Sequence, residues 1–153
     1  MRVTEELAAF VSGPVLMTIG TRDAANRPMI ARGTGGRAWD DRGGISLAIS
    51  GWLWPETVAN LRANGMISAT FVRPDTYEAF QLKGRARLRD PEPSEREAGG
   101  RYVREAAAML NRLEIPLALI ACWLTDRDLV IADFTVDRVF EQTPGPRAGR
   151  VVA

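Results

Sequence analysis

Residues 15–21 alternate, with Val15, Met17 and Ile19 facing one way and Leu16 and Thr18 the other. This two-residue period predicts a half-buried β-strand. The same reading predicts strands over 28–37, 45–50, 66–73, 77–88 and 129–140. Polar turns at 22–27 and 40–44 make the first three strands an antiparallel meander. Between strands the period lengthens. Thr4 caps a short helix that carries Leu7, Phe10 and Val11 on one face. Pro55 opens a second helix through Val58 and Leu61 to Asn64, and Gly65 stops it. Ser94 with Glu97 reads as the capping box of a third helix, frayed or kinked at Gly99-Gly100 before it continues over 102–113. Residues 116–124 fit either a short helix or a buried strand. The helix breakers of 143–150 predict an irregular, flexible tail.

Six antiparallel strands with short flanking helices predict a mainly β (α+β) single domain over 1–153, closed or partly closed as a barrel. Closure removes the exposed strand edges of a flat sheet. Gly33, Gly35 and Gly36 in the second strand and Gly84 in the fifth mark bends or close approaches.

Composition narrows the chemistry. The 153 residues include no histidine and one cysteine, Cys122. A Ser-His-Asp triad, a Cys-His pair and a histidine-bearing zinc site are therefore excluded. Catalysis would need a borrowed organic cofactor. The net charge of +1 gives no field for nucleic acid or an anionic membrane. No apolar run is long enough to span a bilayer, and no signal peptide is apparent at the N-terminus. Cys122, inside the longest apolar run, residues 115–124, reads as a buried free thiol, and the expected compartment is the cytoplasm.

Four segments are candidates for ligand chemistry. In Arg32-Gly33-Thr34-Gly35-Gly36-Arg37, two guanidinium groups suit a phosphate and the glycines suit a flat ring against bare backbone. Solvated arginines and a curved barrel strand account for the same residues. Ser50 to Thr57 lies at a helix N-terminus, an anion-favouring place, with Trp52 and Trp54 as walls. A routine cap with interface or core tryptophans is the plainer alternative. Gln81 and Lys83 share one face of the fifth strand. Arg147 and Arg150 are tail cations able to fold over a site, their own or a partner's.

The order of these segments, above all the Asn60-Leu61-x-x-Asn64 helix before an apolar strand and then Lys83-Gly84-x-Ala86, resembles the pyridoxamine 5'-phosphate oxidase-like, flavin-binding split barrels. The resemblance covers residues 15–88, with weaker support from 129 onward. It implies a homodimer that holds FMN between subunits and exchanges hydride or electrons with a small molecule. It implies that Arg32 and Arg37 reach the phosphate, and that Ile49 and Ser50 contact the ring or ribityl chain. Glu56 and Thr57 stand where the family's oxidases carry a basic pair, and Ala79 stands in place of a glutamine. These departures remove charge from the phosphate site. They leave a second reading open: a non-catalytic dimer holding a flavin, a deazaflavin or another planar molecule. No catalytic residue stands out, and Tyr77 and Lys83 are the available proton donors.

Overall fold

A computed structural model describes residues 1–152. The elements are α1 (Glu5–Val11), β1 (Leu16–Arg22), β2 (Pro28–Ala38), β3 (Gly44–Ser50), α2 (Pro55–Asn64), β4 (Met66–Val72), β5 (Ala79–Arg89), α3 (Pro93–Arg112), α4 (Leu117–Ile120) and β6 (Leu129–Glu141). The six strands close in the order β1-β2-β3-β6-β5-β4, every pair antiparallel. β6 joins last and fills the gap between β3 and β5.

Alternation decides what lies inside. Met17, Ile19, Leu47, Phe71, Leu82 and Phe134 are at most 1% exposed and meet in the barrel core. Each such side chain contributes about 1.5–3 kcal/mol through burial. α1 closes one side, where Phe10 meets Phe80 edge-on at 5.2 Å. α2 is tied to the end of β1 by side-chain amides: Asn60 donates to Thr21 Oγ1 at 3.2 Å and Asn64 donates to the Arg22 carbonyl at 2.8 Å. The paired asparagines of this helix are therefore a structural clamp.

Two bulges set the geometry of the outer face. In β2, Gly33 lies opposite Ile49 and Gly36 opposite Leu47, so three steps face two. Gly35 takes φ +127° at this point, a conformation open chiefly to glycine. The second bulge leaves Asp137 of β6 without a partner between Lys83/Arg138 and Gly84/Val136.

Three local expectations are corrected. α3 begins at Pro93 with Glu92 as its cap, and the capping box joins Glu92 to Glu95 rather than Ser94 to Glu97. A proline at the first helical position suits the fixed φ of that turn. α3 also runs unbroken through Gly99-Gly100, because these glycines let it approach the barrel. A Cβ on Gly99 would come within 2.6 Å of Leu129 Cδ1. Finally, Cys122 is exposed. The single turn of α4 and the turn after it direct Ile120 and Leu124 toward α3 and leave Cys122 outside.

The start of α3 is fastened by an ion network. Arg89 forks onto Glu95 with two bonds of 2.7 Å and reaches Asp133 at 2.7 Å. Ser46 donates to the other Asp133 oxygen at 2.6 Å. Hydrogen bonding from Arg89 holds the Glu95 carboxyl below its ordinary range. A lowered folded-state value means the contribution is present above the unfolded value, near 4.5, and is lost as pH falls through the folded one. Arg89→Met is therefore expected to destabilise the protein by about 1–3 kcal/mol at pH 7. It also flattens the loss of stability below about pH 4.5. Urea unfolding of both forms at several pH values measures this; parallel curves would refute it.

Candidate functional site

The bulge in β2 decides how the arginine-glycine segment presents itself. On a regular strand Arg32 and Arg37 would lie on opposite faces. The extra residue instead aims Gly33 and Gly36 at the core, where Cβ atoms would meet Met17 and Leu47. Arg32 and Arg37 consequently share the outer face. They do not converge within one chain. α3 crosses β2 at Thr34-Gly35: Thr34 O lies 3.6 Å from a Cβ position on Gly99, and Gly35 packs on Tyr102. Tyr102 donates to the Val15 carbonyl at 2.8 Å and stands beside Arg32. Burial raises its pKa, so the phenol stays neutral and serves as a strut.

Arg32 is half-buried. It donates to Thr18 Oγ1 at 3.0 Å and stacks on Trp123 with its guanidinium carbon 5.2 Å from the ring centroid. No carboxylate lies within 4 Å of it among the described residues. A partly desolvated cation with a hydroxyl and an aromatic ring for neighbours still has affinity for an anion.

Register extends this polar site around the barrel. Arg32 pairs with Thr18, Thr18 with Thr70, and Thr70 with Gln81. The row spans three strand spacings, roughly 14 Å. Gln81 donates to Thr70 Oγ1 at 3.1 Å. Two residues along β5, exposed Lys83 sits 4.8 Å from the Phe140 ring centroid. Arg32, Gln81 and Lys83 thus lie on one face. Thr18, Thr70 and Trp123 belong to it and were not singled out in the sequence. Alternation already sets Thr18 outward, but only strand pairing puts it beside Arg32.

The remaining candidates lie elsewhere. Ile49 is fully enclosed in the barrel core, so its side chain faces away from any outer ligand. Ser50 is also buried, and its hydroxyl is engaged: it donates to the Arg127 carbonyl at 2.7 Å and accepts from Leu53 N at 3.2 Å. Trp52 is exposed beneath Arg127 at 4.5 Å. Trp54 Nε1 and Thr57 Oγ1 are buried without partners among the described residues. Arg147 pairs with Glu141 at 3.0 Å. The tail bearing it folds back on the edge of β6 beyond its pairing with β3, where Val151 bridges Phe140. Tyr77 is exposed in the loop before β5, at φ +59°.

Arg37 and Thr34 line a groove of about 880 Å³ between α3 and the outer faces of β2, β3 and β6. This is within the range of small-molecule sites. No helix among the described residues is long and apolar enough to cross a membrane.

No family model matches the chain, and no curated protein sequence matches it. Solved structures do. A Lactobacillus delbrueckii protein provisionally named a pyridoxamine 5'-phosphate oxidase is similar at TM-score 0.57 and 12% identity, covering 91% of this chain and 93% of that one. An F420 reductase is similar at TM-score 0.52 and 16% identity, covering 90% and 98%. HutZ, the heme storage protein from Vibrio cholerae, is similar at TM-score 0.53 and 14% identity, covering 92% and 95%. The chain therefore has the pyridoxamine 5'-phosphate oxidase-like split-barrel fold.

Proposed function

We propose that this protein binds a phosphate-bearing flavin, FMN in the first instance, as a homodimeric oxidoreductase acting on a small molecule. The carrying observation is Arg32, a half-buried guanidinium with no carboxylate partner among the described residues. Its surroundings fit an anionic head group, and the Thr18–Thr70–Gln81 row offers hydroxyl and amide groups to a hydroxylated chain. Arg32 would hold the phosphate, with Gln81 and Lys83 as further donors. A bound flavin supplies hydride or electron exchange at its ring. The chain's own part is to bind, orient and shield it. Tyr102 keeps its proton and braces the helix beside Arg32. Because Arg37 lies across α3 from Arg32, a shared phosphate clamp would need Arg37 to come from the other subunit.

The F420 reductase among the similar structures supports a deazaflavin as the alternative ligand. Haem is less suited to a chain without histidine, the commonest axial ligand to haem iron.

Titrating FMN against tryptophan fluorescence is the test. Saturable quenching at micromolar FMN is expected, since Trp123 rests on Arg32. Sedimentation of the same samples is expected to give a dimer. Absence of quenching with both FMN and F420 would refute the reading.

A further inference from the structure

The last third of β5 carries Arg85, Arg87 and Arg89 at alternate positions, so all three stand on the outer face of the strand. Only Arg89 has carboxylate partners, Glu95 and Asp133. Arg87 lies opposite Asp133 in the strand register. Both oxygens of that carboxylate are already engaged, by Ser46 and Arg89. Arg87 is therefore left exposed with no ion-pair partner among the described residues. Arg62, exposed in the last turn of α2, has none either.

The backbone fixes the spacing between the elements that carry these two cations. Gly65, just past α2, accepts from Ala86 N at 2.7 Å. A Cβ on Gly65 would stand 2.8 Å from the Ala86 carbonyl oxygen, so helix end and strand meet too closely for a side chain there. Beside this contact opens a cleft of about 600 Å³. Leu61, Leu88 and Val130 give it an apolar floor, and Arg62 and Arg87 line it from α2 and β5. Asp90 is the one carboxylate in the lining. Arg85 reaches the Asn64 carbonyl at 3.5 Å and sets a further cation against the negative end of the helix, which would otherwise oppose an anion.

We propose that this cleft binds a small phosphate monoester, at a site separate from the Arg32 face. The phosphate takes hydrogen bonds from Arg62 on one side and Arg87 on the other, and the body of the molecule covers Leu61, Leu88 and Val130. A planar guanidinium matches two phosphate oxygens at once. A monoester carries close to two negative charges at neutral pH, one for each free cation. The cleft has the volume of a small-molecule site. The inference does not rest on the flavin reading: the Arg32 row ends at Gln81, and Arg87 stands six residues, roughly 20 Å, further along β5.

The probe is phenyl phosphate, compared with benzenesulfonate, a monoanion of similar shape, on the full chain at about pH 7.5. Calorimetry gives the affinity and backbone amide shifts give the location. Phenyl phosphate is expected to bind saturably, with the largest shifts at Gly65 and residues 86–88, and several-fold more tightly than the sulfonate. Arg62→Gln combined with Arg87→Gln is expected to weaken it by about 10-fold or more. In Arg32→Met, which lacks the cation of the flavin face, the cleft is expected to bind phenyl phosphate with the parent's affinity. Thermal unfolding shows that each variant is folded. The inference is overturned if no saturable shift appears at Gly65, if the folded double variant binds like the parent, if the sulfonate binds as tightly, or if Arg32→Met abolishes binding. Absence of FMN binding in the parent with phenyl phosphate binding intact would count against the flavin reading alone.

Discussion

Arg32→Met is expected to weaken FMN binding by about 10- to 100-fold, because a charge-assisted hydrogen bond to phosphate contributes about 1.5–3 kcal/mol. The substitution keeps an unbranched side chain against Trp123 and removes only the charge and the donors. Stability is therefore expected to change by less than about 1 kcal/mol. Arg32→Lys separates charge from shape. It retains a cation but lacks the planar fork, so it should recover only part of the affinity. The readout is the FMN titration at two ionic strengths. The salt dependence of binding should fall in Arg32→Met, since a screened charge has been deleted. Parent-like affinity in Arg32→Met would mean that the phosphate lies elsewhere.

Gly84→Ala is expected to be the most damaging single methyl group in the chain. A Cβ at this position would overlap the carbonyl oxygen of Thr135 in the adjoining strand. The contact is backbone on backbone, so no rotamer relieves it. β5 and β6 would have to separate at the Asp137 bulge that lets them meet there. A loss above about 4 kcal/mol follows, at the extreme of single substitutions. It would take much of the 5–15 kcal/mol typical of a domain. Ser68→Ala, on the outer face of β4, is the matched control and should stay within about 0.5 kcal/mol. Urea unfolding decides the matter. A Gly84→Ala midpoint close to the parent's would show that the bulge shifts register at little cost.

The strand pattern was legible because burial in a barrel obeys a period of two. Every predicted strand appears, with ends moved by no more than about two residues. β5 starts at Ala79 rather than Tyr77 because the Arg73–Glu78 hairpin loop closes through Tyr77 N, which donates to the Arg73 carbonyl at 2.8 Å. Caps were harder to read. Glu92, Ser94, Glu95 and Glu97 offer two overlapping capping boxes, and only the packing of α3 through Arg89 and Asp133 selects the earlier one.

The candidate site was legible as residue types and not as an arrangement. Arg32, Gln81 and Lys83 lie on one face because β1 and β4 close the barrel between them. That closure joins residues far apart in the chain, and no local period encodes it. Trp123 sits in a run whose periodicity fits helix and strand equally, so its stacking on Arg32 follows from where α4 docks on α3.

Local chemistry alone determined the number of strands, their inward faces, the glycine-marked bends and the absence of histidine-based catalysis. These follow from side-chain periodicity and residue inventory, which need no knowledge of distant neighbours. Tertiary structure alone decided that the β2 bulge turns Arg32 and Arg37 to the same face, that α3 then divides them, and that a charged groove opens along the helix. Each of these depends on register and on close backbone approach between segments remote in sequence, where a shift of one residue reverses which side a guanidinium occupies.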